Sequence, residues 1–421
     1  MASKTYVQIS RNNLQVPDAA AATIGSVKHL ASYSWIEAST PTIAVPGIPP
    51  RWSPPAVATR LQKDSGLIYI AQNAARHPQS PLEPLFRSLY VVNPDFDVRP
   101  VDLISDRNNI RKLLSFIDPS SSRNGLETFT IEAEVIDNTV ILSRIETKTS
   151  EMIAPHEFKG FGHEYEKAYT RCQLRNSTGY HRIVSYRFGG LSFIVRHEVD
   201  GYVSQPTATS SKHNETEADG LAGMLGSLSL STTSNVTQGT RSFTPSGSKM
   251  TIWEEGIVVP LDSTLEIKTR VSHKLLNIAE IAPQLWVSQT PKLVRAYHNR
   301  GLFQEAKVED VAKEIKTWER ANQKHLKRLA ALIKTICSAV RECGGKAVVK
   351  YDETTDKMTV VRKASAGRML PNDLYSKWGR PESDKARAEL APSPSYTRRV
   401  SDEGVAKKIR GAEANKAKGS D

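Results

Sequence analysis

The stretch 191-LSFIVRHEVDGYV-203 places two acidic residues at the end of an apolar run. The apolar residues predict a β-strand that buries most of its surface. Glu198 and Asp200 are two residues apart, so both side chains leave the same face of such a strand. Two buried carboxylates repel each other and destabilise the fold unless a positive group lies between them. The stretch therefore predicts a cation at this strand.

A second charged pair follows in LEIKTR, residues 265–270. Strand alternation places Glu266 and Lys268 on one face and Ile267 on the other. The residues between the two motifs, 204–248, are rich in Ser, Thr and Gly and contain no aromatic residue before Phe243. We interpret this segment as a disordered insertion. Without it, the two motifs are separated by a distance typical of neighbouring strands.

The two motifs together predict a metal site. Asp200, Glu266 and the Ile267 carbonyl are hard oxygen ligands, which suit Mg²⁺ or Mn²⁺. A metal lowers the pKa of a bound water, and Lys268 on the same face can orient that water or stabilise charge on phosphorus. Glu166 in GHEYEKAY is a candidate further acid. Each doublet alone is frequent at solvated strand edges, but both in this order indicate a PD-(D/E)xK-like nuclease core.

The remaining pattern predicts an α+β fold, with a central mixed or antiparallel β-sheet flanked by helices. Alternation around Asp137-Asn138 predicts a β-hairpin, and Gly189-Gly190 joins two further strands. Residues 106–117 and 163–172 are predicted helices, and 273–341 is largely helical with a strand at 291–303. A closing hairpin is expected at 346–363.

Composition divides the chain into three parts. Residues 1–60 are rich in Pro and Ser and predict an extended N-terminal arm. Residues 61–363 form the predicted nuclease-like domain, which includes the insertion 204–248. Residues 364–421 are predicted to be a disordered tail.

The formal net charge of +12 over 421 residues favours a polyanionic partner, most often nucleic acid. Three cysteines without metal-ligand spacing indicate neither a disulfide framework nor a zinc site. No signal peptide or transmembrane segment is expected. We therefore expect a protein of the nucleus, the cytoplasm or both, with no membrane partner.

Ordered pieces of residues 100–340 resemble the DXO-type decapping exoribonuclease family, in a filamentous-fungal branch. The resemblance lies in RNNIRKLL (107–114), NTVILSRIETK (138–148), GHEYEKAY (162–169), RIVSYRFGGLSFIVRHEVDGY (182–202), LEIKTR (265–270) and APQLWVSQTPKLVRAYHNRGLF (282–303). It implies a metal-dependent RNA 5′-end hydrolase that removes non-canonical caps and degrades RNA from the 5′ end. RNA 5′ ends and a 5′-to-3′ exoribonuclease protein are the implied partners.

The resemblance also implies roles for individual residues. Glu166, Asp200, Glu266 and the Ile267 carbonyl would hold two Mg²⁺ or Mn²⁺ ions. Glu198 would assist the second ion or the water, and Lys268 and Gln284 would complete the catalytic site. Arg107 would contact substrate phosphate.

Three alternatives stay open at this point. If the family's Gly-apolar-x-apolar-Glu motif is aligned from Gly160 instead of Gly162, the third acid is Glu164 instead of Glu166. A DNA nuclease with the same core is an alternative function, because a metal site contacts phosphate, which DNA and RNA share, and does not contact the sugar that distinguishes them. Ala296-Tyr297-His298 stands where the family has Gly-apolar-Arg, so an inactive relative that binds RNA or protein is the third reading.

Overall fold

The computed structural model describes residues 5–14, 16, 21–121, 125–204, 241–363 and 367–379. The strands, numbered in chain order, are β1 (Thr5–Ile9), β2 (Gly25–Ile36), β3 (Thr42–Gly47), β4 (Arg51–Trp52), β5 (Gly66–Tyr69), β6 (Leu103–Asp106), β7 (Phe129–Ile136), β8 (Thr139–Ile145), β9 (Ser150–Ile153), β10 (Thr170–Arg171), β11 (Ser177–Phe188), β12 (Leu191–Glu198), β13 (Gly201–Tyr202), β14 (Arg241–Phe243), β15 (Thr251–Gly256), β16 (Thr264–Val271), β17 (Lys292–Asn299), β18 (Leu302–Phe303), β19 (Val308–Asp310), β20 (Lys346–Asp352) and β21 (Lys357–Arg362). The helices are α1 (Gln72–Arg76), α2 (Glu83–Val92), α3 (Arg107–Ile117), α4 (Gly162–Tyr169), α5 (Ile278–Ser288), α6 (Ala312–Ala321), α7 (Gln323–Glu342) and α8 (Asn372–Tyr375).

Within these ranges, the strands form sheets of 12, 7 and 2 strands. The largest sheet has the order β1-β21-β20-β7-β8-β6-β12-β11-β2-β3-β15-β14. It is mixed, because β6 runs parallel to β8 and β12 while β11 is antiparallel to β12. The second sheet contains β16 and β17, which are parallel neighbours. The predicted α+β class with a mixed sheet flanked by helices is confirmed.

Alternation along the central strands divides the core of the large sheet into two layers. On one face Leu103, Val184 and Val195 pack with α3 and α7. On the other face Ile104, Ile183 and Ile194 pack with α2. Both layers are closed to water, so the strand ends rather than the sheet faces are left for a functional site.

The N-terminal segment differs from the predicted arm. β2 lies between β11 and β3, and its Ala31, Tyr33 and Trp35 are fully buried. Prolines at 41–55 suggested an arm, but Pro46 lies beyond the part of β3 that pairs with β2 and needs no amide proton there. A segment with strong strand propensity therefore completes the large sheet despite its proline content.

The C-terminal boundary also lies later than predicted. Trp378 is buried, its ring lies 5.6 Å from that of Phe86, and its Nε1 donates to Thr139 Oγ1 at 2.8 Å. Asp373 accepts hydrogen bonds from the Arg87 guanidinium. Residues 367–378 thus pack on the domain. Residues 205–240, which hold most of the predicted insertion, and 380–421, which hold most of the predicted tail, lie outside the described residues.

A buried ion pair joins the parallel strands where α3 begins. Arg196 at the end of β12 is 1% exposed, and its guanidinium donates to both Asp106 oxygens at 2.7 and 2.9 Å. Asp106 precedes α3 without capping it through its side chain. The carboxylate is instead committed to Arg196, so this pair joins the ends of the neighbouring strands β6 and β12.

We expect Arg196→Met to lower the free energy of unfolding by about 3–5 kcal/mol, because it leaves the Asp106 carboxylate without its buried partner. The double variant R196M/D106L should recover most of that loss, since it removes both charges. Urea denaturation of the three proteins checks this, and a double variant as unstable as R196M would contradict it.

Candidate active site

Glu198 and Asp200 lie on either side of a crossing between sheets. β12 ends at Glu198 in the large sheet, and β13 begins at Gly201 in the second sheet. Gly201 approaches β4 so closely that an added Cβ would lie 3.0 Å from the Pro50 carbonyl oxygen. The prediction that both acids lie on one face of a single strand is therefore wrong, because the chain leaves the large sheet between them.

Asp200 is held against the open edge of β16. Its Oδ2 accepts a hydrogen bond of 2.7 Å from the Ile267 amide. β13 pairs with β16 at Thr264 and Leu265, before this point. The N–H and C=O of one strand residue point to the same side, so the Ile267 carbonyl also faces the Asp200 side.

Glu266 is the most heavily bonded acid of the site. Its Oε1 accepts from Lys268 Nζ at 2.5 Å and from Gln284 Nε2, and its Oε2 accepts from Arg107 Nη1 at 3.1 Å. Burial alone would raise the pKa of Glu266, but attraction to Lys268 and Arg107 outweighs burial and holds it at about 2. The strand β16 and the helices α3 and α5 thus meet at one ionised carboxylate.

The neighbouring acids behave in the opposite way. Burial, followed by repulsion from Glu266, raises the pKa of Asp200 to about 8. Burial and then repulsion from Asp200 raise the pKa of Glu166 well above its ordinary value. The pKa of Glu198 is also raised, again first by burial, although its side chain is open to water in the cleft. The cluster favours a bound cation, which would stabilise its ionised form.

The structure brings Glu166 rather than Glu164 to the other acids. Both residues lie on α4, but the Glu164 carboxylate accepts from Lys167 Nζ at 2.7 Å. Glu166 has no side-chain hydrogen bond within the described residues, and Asp200 and Glu198 act on its pKa. The metal roles of Glu166, Asp200, Glu266 and Ile267 stay predictions.

Among the described residues, no three Asp, Glu, His or Cys side chains are arranged to hold a metal ion. The oxygens of Glu266 already accept from three protein donors. Among the described residues, the carboxylate oxygens of Glu166 and Glu198 and Asp200 Oδ1 accept no side-chain or amide hydrogen bond, and the Ile267 carbonyl faces the same side. Mg²⁺ commonly uses one or two carboxylates and several waters, so this oxygen-rich set fits such an ion.

His298, where the family pattern has an arginine, points away from the acids. It is buried with Phe161 and Phe303, whose ring centroids lie 4.7 and 4.9 Å from that of the imidazole. Its Nδ1 accepts from the Gly301 amide at 3.4 Å. The residue serves the aromatic core of the second sheet, and no arginine occupies its place.

Two arginines beside the site were missed from the sequence. Arg111 lies four residues after Arg107, which places both on one face of α3. Burial and then the Arg107 charge lower the pKa of Arg111 to about 10. Arg144, at the end of β8, donates to Glu146 at 2.6 Å. The helical spacing in RNNIRKLL was a signal for Arg111, whereas Arg144 reaches the cleft only because β8 ends beside β6.

Solved structures with the same architecture are Rai1 proteins. S. pombe Rai1 in complex with 3′-FADP matches at 12% identity with a TM-score of 0.52, over 85% of this chain and 99% of that chain. Candida albicans Rai1 in complex with pU5-Mn²⁺ matches at 12% identity with a TM-score of 0.54, over 90% of this chain and 99% of that chain. Scheffersomyces stipitis Rai1 in complex with 3′-NADP⁺ and a calcium ion matches at 12% identity with a TM-score of 0.53, over 90% and 98%.

The class defined here is therefore the Rai1 fold, and the predicted resemblance to the DXO-type family is confirmed at the level of the fold. The chain belongs to the family described as a domain of unknown function, DUF8563, whose model matches residues 4–378. No curated protein sequence matches it. None of the helices in the described part of the chain is long and apolar enough to cross a membrane.

The opposite pKa shifts of Asp200 and Glu266 predict opposite pH dependences. When a chelator removes metal ions, Asp200 in the folded protein keeps its proton up to about pH 8. In the unfolded chain the same carboxyl loses its proton at about pH 4. The stability of the wild-type protein should therefore fall relative to Asp200→Asn by about 2–4 kcal/mol between pH 4 and pH 8.

Glu266→Gln should show the reverse. Ionised Glu266 stabilises the fold above its unfolded pKa, and this stabilisation is lost as the pH falls toward about 2. The deficit of E266Q relative to the wild type should shrink as the pH falls below about 4.5, near the ordinary pKa of a glutamate. Urea denaturation across pH 2–8 measures both, and parallel profiles for all three proteins would refute the assignment.

Proposed function

We propose that this protein is a metal-dependent hydrolase that cleaves a phosphodiester or cap linkage at the 5′ end of RNA. The observation that carries the proposal is the contact of ionised Glu266 with Lys268 and Arg107, directly beside the proton-holding Asp200. Titratable groups whose pKa values are shifted in opposite directions are typical of functional sites.

The residues fit Mg²⁺ or Mn²⁺. Asp200, Glu166 and the Ile267 carbonyl offer hard oxygens. Burial, and then neighbouring carboxylates, raise the pKa values of both acids, so a bound cation would favour their ionised forms. When bound, such an ion supplies a water of lowered pKa and an electrophile for a phosphate oxygen. The presence of two ions stays a prediction.

The side chains of this chain would divide the remaining work. Lys268 keeps its proton, because Glu266 and Asp200 raise its pKa against the effect of burial, so it can stabilise negative charge on a phosphate. Glu266 holds Lys268, Gln284 and Arg107 in fixed positions through its hydrogen bonds. Glu198, whose side chain is open to the cleft, can accept a proton from an attacking water.

A cationic recess on the α5 side suits the phosphates of a longer chain. It is lined by Arg111, Lys268, Arg270 and Gln284 among other residues. Arg270 is partly neutralised by Glu280 at 3.0 Å, whereas Arg111 has no hydrogen-bond or salt-bridge partner within the described residues. These basic side chains lie beside the acids, so they can bind the phosphates of a polyanion whose end lies in the site.

RNA is favoured as the substrate by the similar fold of Candida albicans Rai1, which was solved with pU5 and Mn²⁺. DNA is the alternative substrate, because the site described here contacts phosphate. The 5′-to-3′ exoribonuclease partner and the nuclear or cytoplasmic location stay predictions from the sequence.

Cleavage of 5′-monophosphate, 5′-triphosphate and NAD-capped RNA, with matched DNA, tests the proposal in Mg²⁺ or Mn²⁺. Asp200→Asn and Lys268→Met should each lower kcat/KM at least about a hundredfold, because each removes a group that acts in the transition state. Asp137→Asn, in the remote β7–β8 turn, is the matched control and should cleave like the wild type. No cleavage by the wild type would favour the inactive RNA- or protein-binding reading, and faster cleavage of DNA would favour the DNA nuclease.

Metal binding is tested separately from activity. Mn²⁺ should raise the Tm of the wild-type protein at pH 7.5 by several degrees, since a ligand that binds the folded state stabilises it. Asp200→Asn should lose most of that shift, whereas Lys268→Met should keep it. An equal shift in the wild type and D200N would place the ion elsewhere.

A further inference from the structure

A buried arginine of the large sheet has no carboxylate beside it. Arg182 in β11 is fully buried. Its Nη2 donates to the Val259 carbonyl at 2.6 Å, whereas its Nε and Nη1 are enclosed without a hydrogen-bond partner in the described part of the chain. A buried charge is stabilised when it is paired, so this guanidinium requires an acceptor that carries negative charge.

Two histidines lie on the same face of the sheet as Arg182. His197 of β12 is paired with Arg182, and His29 of β2 is paired with Val184, two residues further along β11. Paired residues of antiparallel strands project to one face, and so do residues i and i+2 of a strand. His197 Nδ1 and both ring nitrogens of His29 are also enclosed and unpartnered. Three adjacent basic side chains therefore carry five enclosed nitrogen atoms without partners within the described ranges.

The donors in this cluster are in excess. Burial and then the charge of Arg182 lower the pKa of His29 to about 4, so its imidazole is neutral near pH 7. A neutral imidazole has one donor and one acceptor nitrogen, whereas a guanidinium only donates. Ser32, which faces Arg182 from β2, already donates to the Pro46 carbonyl at 2.9 Å. An ordered water could accept hydrogen bonds here, but it would leave the arginine charge unpaired.

The surroundings of the cluster are closed. Val184 and Val195, next to it on β11 and β12, belong to the apolar core on this face. The Val259 carbonyl that contacts Arg182 comes from the segment after β15, in which the Ile257 amide donates to the Gly47 carbonyl at 3.0 Å. Val259 itself is 3% exposed. Because the nitrogen atoms are enclosed, only a small ion suits them.

We propose that Arg182, His29 and His197 bind a small monovalent anion, such as chloride, inside the large sheet. The anion accepts hydrogen bonds from the guanidinium and the imidazoles, and its charge balances that of Arg182. Strand alternation places His197 on the face opposite to that of Glu198, so this site is separate from the acids and independent of the proposed hydrolase.

Chloride should stabilise the full-length protein at constant ionic strength. When chloride replaces gluconate, which is too large to be enclosed, the Tm of the wild type in a chelator should rise by about 2–5 °C and then level off as the site fills. Arg182→Met should remove this response, because it deletes the charge that the anion balances. Arg187→Met changes an exposed arginine on the same strand and should keep the response. His29→Phe retains a ring without N–H groups and should raise the chloride concentration at half effect about three- to tenfold.

Wild-type crystals soaked in sodium bromide provide a measurement that does not depend on how the variants fold. We expect an anomalous bromide peak in contact with Arg182 Nε or Nη1. Density at that place without an anomalous signal would identify ordered water and overturn the anion, and so would bromide peaks at the protein surface alone. Equal chloride responses of the wild type and R182M would also overturn it. Neither measurement involves RNA cleavage, so a failure of the proposed hydrolase would leave this inference intact.

Discussion

The carboxylate of Glu266 is the contact on which the site depends. It is 2% exposed, and its three donors come from β16, α3 and α5. A buried carboxylate is tolerated when its charge is paired and its oxygens are hydrogen-bonded, and here both conditions are met. Without Glu266, Lys268 and Arg107 would lose the carboxylate that accepts hydrogen bonds from both of them.

The same contact divides the acids into two chemical kinds. Glu266 contacts the cations and stays ionised, whereas burial and then repulsion between carboxylates raise the pKa values of Asp200 and Glu166. Groups of like type whose pKa values are driven apart by their surroundings are suited to different tasks. Here Glu266 orders the cations, and we propose that Asp200 exchanges its proton for a metal ion.

The crossing between sheets determines what the cleft can bind. Because β12 ends at Glu198 and β13 begins at Gly201, one recess opens on each side of the acids. Arg111, Lys268 and Arg270 line the recess at α5, and Arg107 and Arg144 line the recess beside Glu198. Basic side chains therefore line both recesses beside the acids.

Local sequence signals predicted much of the molecule. Alternation and turn residues located the hairpin at Asp137-Asn138 and the strand pair at Gly189-Gly190, because period-2 burial and turn chemistry are short-range properties. The spacing of Glu266 and Lys268 placed both on one face of a strand for the same reason. The mixed sheet and the family resemblance followed from the order of these elements.

Tertiary structure decided the rest. The proline-rich start of the chain pairs into the large sheet, because the partner strands of β2 and β3 come from distant residues and strand propensity acts only once they are present. Glu166 rather than Glu164 reaches the acids because of how α4 packs. Whether a carboxylate keeps its proton depends on the charges that surround it, and those come from elements far apart in sequence. The sequence by itself determined which oxygens and cations were available, and only the packing of two sheets determined which of them meet.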